Sequence, residues 1–206
     1  MPPRRIDAVI FDFGNVICSF SVIDFIDGLA AKSGKSTDEL LQVMPGINHL
    51  AVEYETGLVS SDEFFTRLCA LAGIVVSRND FINAYTGIFT PIQETHDLVR
   101  SLKPNYKLGL LSNTNEWHYL HSIRPVEIYP LFDAVTLSFE VKAMKPAAAI
   151  YADMLKKLGL PPGRCVYIDD ILENTKAAER LGLHAIQYID PPQLRTALQE
   201  YDVIPG

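Results

Sequence analysis

Hydrophobic and polar positions along this chain fall into two regimes. Ile6, Ala8, Val9, Ile10 and Phe11 form an apolar run that Asp12 ends abruptly. This pattern predicts a strand buried on both faces of a parallel sheet. Phe13-Gly14-Asn15 follows, a loop signal in which Gly14 and Asn15 permit unusual backbone angles. Residues 20–88 then read as helix without a strand of ordinary length. Val22, Ile23, Phe25, Ile26, Leu29 and Ala30 recur at helical spacing, and Gly34 closes that helix. Ser36 with Glu39 is a capping box that opens a helix through Leu40, Leu41 and Val43. Ser60 with Glu63 is a second capping box, opening a helix over 64–68, and Ser77 to Asp80 start a further one through Phe81, Ile82 and Tyr85.

From Pro91 the pattern becomes a strict alternation of helix and strand. Helices are predicted at 94–102, 116–123, 147–158, 172–181 and 192–201, with strands at 106–111, 134–137, 165–168 and 185–189. Repeated βα units imply an α/β fold, a doubly wound, Rossmann-like parallel sheet with right-handed crossovers. The expected organisation is a core of residues 1–18 and 90–206 with an α-helical cap inserted at 19–89. Residues 159–163 and 190–192 read as connectors within the core, not domain linkers.

Composition narrows this picture. At 206 residues, with 48% hydrophobic and 21% charged residues, the chain is an ordinary globular protein. A formal net charge of −7 argues against a nucleic-acid partner. An anionic small substrate remains possible if the site supplies its own cation. Cys18, Cys69 and Cys165 are too few and scattered for a disulfide framework or a zinc site. No apolar run reaches the roughly 18 residues of a membrane span, so no membrane partner is expected. Residues 1–5 lead into the first strand without an apolar signal segment, and the expected location is cytoplasmic. Oligomeric state has no sequence signal here.

Polar residues follow each strand at the same end. Asp12 ends the first strand, and the second runs into Ser112-Asn113-Thr114-Asn115. The third leads to Lys142 and Lys145-Pro146, and the fourth into Asp169-Asp170 with Asn174 beyond. Open α/β sheets bind ligands at this edge, where the strand order reverses. If the first and fourth core strands are neighbours, Asp12, Asp169 and Asp170 meet. Three adjacent carboxylates repel one another unless a cation sits among them, and an oxygen-rich, imidazole-free set suits Mg²⁺. Lys145 adds positive charge, while Ser112 and Asn113 at a helix N-terminus offer an anion seat. A carboxylate nucleophile, a metal, a lysine and a hydroxyl donor together describe phosphoryl transfer through an aspartyl-phosphate.

These motifs resemble those of the haloacid dehalogenase-like hydrolase (HAD) superfamily over essentially the whole chain. Asp12 in FDFGNVI, Ser112 in LLSNTN, Lys145 in MKPAAAIY and Asp169-Asp170 with Asn174 in YIDDILEN match its four motifs. The helical insert after the first motif is similar to the family's cap. In detail the chain looks most like the branch of sugar-1-phosphate phosphatases and the N-terminal phosphatase domain of soluble epoxide hydrolase. The resemblance implies that Asp12 is nucleophile and Mg²⁺ ligand, with the Gly14 carbonyl and Asp170 as further ligands. Asp169 lies beside them, acting through water. Ser112 and Lys145 hold the phosphoryl group, Asn113 supports them, and the substrate is a small phosphorylated metabolite, a sugar phosphate by preference.

One position departs from the pattern. Phosphatases of this superfamily usually carry a general acid/base Asp two residues after the nucleophile, where this chain has Gly14. His49, Glu53 and Glu55 in the cap are candidates to stand in for it. Asn115, Glu116, Trp117 and His118 are placed to face the leaving group. The gap leaves two alternatives open, a metal-independent 2-haloacid dehalogenase and a non-catalytic binding protein of the same fold. The acidic pair Asp169-Asp170 weighs against the dehalogenase.

Overall fold

In the computed structural model, which describes residues 6–205, the first strand alternates its side chains between two apolar layers. Residues 1–5 and 206, the ends of the expected core, lie outside the described residues. Along β1 (Ala8–Phe11), Val9 and Phe11 enter one cluster while Ala8 and Ile10 enter the other. All four are buried, as the continuous apolar run predicts. β4 (Lys107–Ser112), β5 (Ala134–Leu137), β6 (Cys165–Asp169) and β7 (His184–Gln187) join β1 in a five-stranded sheet. The order is β5-β4-β1-β6-β7, and every pairing is parallel. The chain therefore winds outward on one side of β1, then crosses to the other, and β1 sits at the reversal.

Leu98, Val99 and Leu102 of α6 (Gln93–Leu102) and Leu194 and Leu198 of α11 (Pro191–Glu200) cover one face. Ile150, Tyr151, Met154 and Leu158 of α9 (Ala148–Leu158), with Ala177 and Ala178 of α10 (Leu172–Arg180), cover the other. A Cβ on Gly109 of β4 would stand 2.8 Å from Met154 Sδ, so glycine there sets how closely α9 packs.

Five helices intervene between β1 and α6: α1 (Val22–Ser33), α2 (Thr37–Leu41), α3 (Met44–Glu55), α4 (Ser61–Ala72) and α5 (Arg78–Thr86). Their starts follow the side-chain caps. Ser36 and Glu39 form the full reciprocal box, whereas Ser60 accepts from the Glu63 amide and Ser77 from the Asp80 amide. Sequence periodicity identifies no separate helix at α3, which starts on Met44, with Pro45 in its first turn, and has no side-chain cap. Phe25, Leu29, Leu50, Phe64, Leu68 and Phe81 make an apolar cluster of these helices. Trp117, from far outside the segment, inserts into it.

Two short strands, β2 (Cys18–Phe20) and β3 (Phe89–Pro91), pair antiparallel where the chain enters and leaves this helical layer. Each is only three residues long, below what alternation can reveal. At the turn after β1, Asn15 alone takes the left-handed conformation, with φ 55°, and Gly14 does not. No described helix is long and apolar enough to cross a membrane.

Candidate active site

Residues two apart on a strand share a face, and this brings the acidic groups to one side of the sheet edge. Asp12 follows Ile10, and Asp169 follows Tyr167. The β1–β6 pairing aligns Phe11 with Ile168, so the two aspartates emerge side by side. Carboxylate oxygens of Asp12, Asp169 and Asp170 all lie within 4.8 Å of one another.

Lys145 joins them. Its Nζ is 2.7 Å from Asp12 Oδ1 and 2.8 Å from Asp169 Oδ2, and it donates at 3.3 Å to the Leu111 carbonyl. All three side chains are buried. Burial alone would lower the lysine's pKa, but the two carboxylates outweigh it and hold the ammonium above its ordinary range. Burial pushes Asp12 up to about 7 against the pull of Lys145, and the negative charge of Asp169 adds to the rise. The Phe13 amide donates to Asp12 Oδ1 at 2.6 Å.

The two members of the acidic pair differ. Asp169 is fully buried and accepts from the Ile171 amide, from Asn174 Nδ2 and from the Tyr167 hydroxyl, besides meeting Lys145. Asp170 is half-exposed and accepts a 3.0 Å bond from Asn15 Nδ2. Donors already surround the Asp169 carboxylate, and that of Asp170 is the more open of the two. Tyr167 is a site residue that sequence reasoning misses. Its position two residues before Asp169 is the signal that could have found it.

Ser112 ends β4 and is buried. Asn113 lines the cavity and also braces the loop that carries the lysine. Its Oδ1 accepts from the Lys145 amide at 2.7 Å while its Nδ2 donates to the Lys145 carbonyl at 3.1 Å. Both ends of the amide thus clamp the backbone that carries the lysine. Lys142, the other lysine of that loop, reaches away and donates at 2.6 Å to the Gly57 carbonyl.

A cavity of about 180 Å³ opens between Gly14, Ser112 and Asn113 below and the helical layer above. Met44, Ile47, Asn48, Ala51 and Glu55 of α3 line it. Their spacing of three or four residues is that of one helical face. His49 and Glu53 lie on the opposite face and do not border the cavity. His49 is exposed and 3.4 Å from Glu53, and Arg67 stands 2.7 Å from Glu53. Of the residues after β4, Thr114 and His118 line the cavity, whereas Asn115, Glu116 and Trp117 do not. Asn115 is wholly buried because it caps α7 (Glu116–His118), accepting from the His118 amide while its Nδ2 meets Tyr85 Oη and His118 Nδ1. Glu116 accepts from Ser61 at the start of α4, and Trp117 packs in the helical layer. Burial lowers His118 to about 4, so it is neutral, donating from Nε2 to the Tyr85 carbonyl.

Known proteins share this fold. Residues 6–182 match the family described as haloacid dehalogenase-like hydrolase. The chain is 29% identical over 192 residues to the D-ribitol-5-phosphate phosphatase of Bacteroides thetaiotaomicron, covering 87% of this chain and 90% of that protein. A predicted HAD-like family hydrolase from Porphyromonas gingivalis superposes with a TM-score of 0.74 at 27% identity, covering 94% of this chain and 98% of that one. An HAD-family enzyme from Bacteroides thetaiotaomicron, solved with magnesium and inorganic phosphate, has the same fold. Its TM-score is 0.79 at 23% identity, covering 89% of this chain and 94% of that one.

Proposed function

This chain belongs to the haloacid dehalogenase-like hydrolases, and from that premise we propose that it is a Mg²⁺-dependent phosphatase of a small phosphorylated metabolite. The observation that carries this is the convergence of Asp12, Asp169 and Asp170 within 4.8 Å, with Lys145 bridging the first two. An all-carboxylate set without imidazole or thiolate fits Mg²⁺. Asp12, Asp170 and the Gly14 carbonyl would hold the ion, with Asp169 acting through water. When bound, it neutralises charge on the phosphoryl oxygens.

Asp12 attacks phosphorus, the ester P–O bond breaks, and an aspartyl-phosphate forms on Asp12. Water then attacks that phosphorus and releases phosphate, restoring the carboxylate. Lys145 holds Asp12 in line and faces the phosphoryl oxygens, and Ser112 donates to them. Excess carboxylate makes little sense for a metal-free dehalogenase, which supports the phosphatase over that alternative.

Relatives favour a sugar or polyol phosphate as the substrate. A second reading rests on the cavity itself. Phe20, Phe25, Ile47, Phe64 and Ile88 line it, which suits an apolar alcohol better than a polyol. A panel of ribitol 5-phosphate and glucose 1-phosphate against phenyl and isopentenyl phosphate separates the two. Phosphate release is expected with Mg²⁺, lost in EDTA, and lost by at least about 10³-fold in Asp12→Asn, which lacks the nucleophile. Chloride release from 2-chloropropionate without metal would overturn the assignment.

A further inference from the structure

We propose that Glu55, reaching down from the C-terminal end of α3, is the general acid/base of this site, in place of the aspartate that Gly14 replaces. The inference rests on the phosphatase reading above and adds the residue that moves the proton. Three observations carry it.

First, Glu55 is the one carboxylate among the cavity-lining residues, and it shares that cavity with Gly14, Ser112 and Asn113. At the usual position a Cβ on Gly14 would stand 3.1 Å from Cε1 of Phe20, tight enough that the ring would have to give way by a few tenths of an ångström. Gly14 itself brings no proton-transfer group to the cavity it lines.

Second, Glu55 is held rather than free. Its backbone carbonyl accepts a 2.6 Å bond from Ser138 Oγ, which in turn accepts from the Thr114 amide at 2.8 Å. Two residues on, Gly57 takes φ +67° and a Cβ there would collide with the Phe139 carbonyl oxygen. Lys142 grips the Gly57 carbonyl. The end of α3 is thus clamped to the loops that carry Ser112 and Lys145, although it belongs to the helical layer.

Third, the surroundings suit proton transfer. The titratable groups facing Glu55 are Lys145 from the core and Tyr85 and His118 across the cavity, with Tyr54 beyond Tyr85. Tyr85 and Tyr54 are raised by burial, and His118 is neutral. Burial raises Glu55 to about 7, with Lys145 opposing the rise. A carboxyl in that range exchanges protons at neutral pH.

The steps balance. As Asp12 attacks and the ester bond breaks, the Glu55 carboxyl gives its proton to the leaving oxygen, which departs as the alcohol. The Glu55 carboxylate then takes a proton from the water that attacks the aspartyl-phosphate. Phosphate leaves, and Asp12 is again a carboxylate with Glu55 protonated.

Glu55→Gln tests this with two substrates of different leaving-group ability. An alkyl phosphate needs the proton, and p-nitrophenyl phosphate hardly does. The variant is expected to lose about 10²-fold or more in kcat/KM on the alkyl ester. With p-nitrophenyl phosphate it is expected to keep a stoichiometric burst and then turn over slowly. The fall of wild-type kcat/KM for the alkyl ester above about pH 7 should vanish in the variant. Glu55→Asp, which keeps a carboxyl, is expected to retain that fall. Equal losses on both esters with the pH profile unchanged, or wild-type-like activity, would overturn the proposal. Absence of phosphate release by the wild-type protein from either ester would overturn the phosphatase reading itself.

Discussion

Lys145 holds two buried carboxylates together at 2.7 and 2.8 Å, and their placement depends on it. Removing one partner of such a cluster leaves buried charge without compensation, which costs about 3–5 kcal/mol. Lys145→Met is therefore expected to unfold at lower urea concentration by about that amount, measured in EDTA so that no cation replaces the ammonium. A change below about 1 kcal/mol would show that the carboxylates find other partners. Asp12, Ser112 and the acidic pair were legible residue by residue, because each stands next to a strand whose apolar run is a local signal, and Lys145 was legible from the loop that follows the third core strand. The task of Asn113 was not. Its side chain closes on the Lys145 backbone thirty-two positions away, and no local pattern encodes that pairing.

At the scale of elements, the C-terminal end of α3 decides what faces the cavity. Gly57 lies where backbone meets backbone, and its positive φ adds strain for any other residue. Gly57→Ala is expected to push the α3–α4 turn off Phe139 and to raise hydrogen exchange of amides 55–60, with a stability loss of about 1–3 kcal/mol. The same variant should lower kcat on alkyl phosphates, since Glu55 is carried on the displaced turn. Helices with side-chain caps, such as α2 and α4, announced themselves in the sequence. α3 did not, because it begins on Met44 shortly after α2 and lacks a capping side chain. Once α3 is known, its spacing alone puts Glu55 on the face with Asn48 and Ala51 and sends His49 and Glu53 outward.

Across the whole molecule, the helical layer is joined to the sheet through the β2–β3 ribbon and through contacts that cross between them. The Tyr54 hydroxyl accepts from the Trp117 amide, Ser61 meets Glu116, and Ser122 donates to the Thr86 carbonyl. A cavity of about 180 Å³ is smaller than the roughly 300–1,000 Å³ of common ligand pockets. Entry of substrate therefore calls for the layer to lift and close again, with the ribbon as the hinge. Phosphate with Mg²⁺ is expected to slow amide exchange at 18–20 and 55–60. Unchanged exchange throughout residues 18–91 would count against that motion.

By itself the sequence determined the order of βα units, the parallel sheet and the polar residues at its edge, since periodicity and caps act over a few residues. Only the tertiary structure decided which helical face closes the cavity, that Asn113 clamps Lys145, and that the Phe20 ring packs close beside Gly14. Those outcomes depend on contacts between segments tens of residues apart, set by the close approach at Gly57 and by the rotation of α3 over the sheet edge.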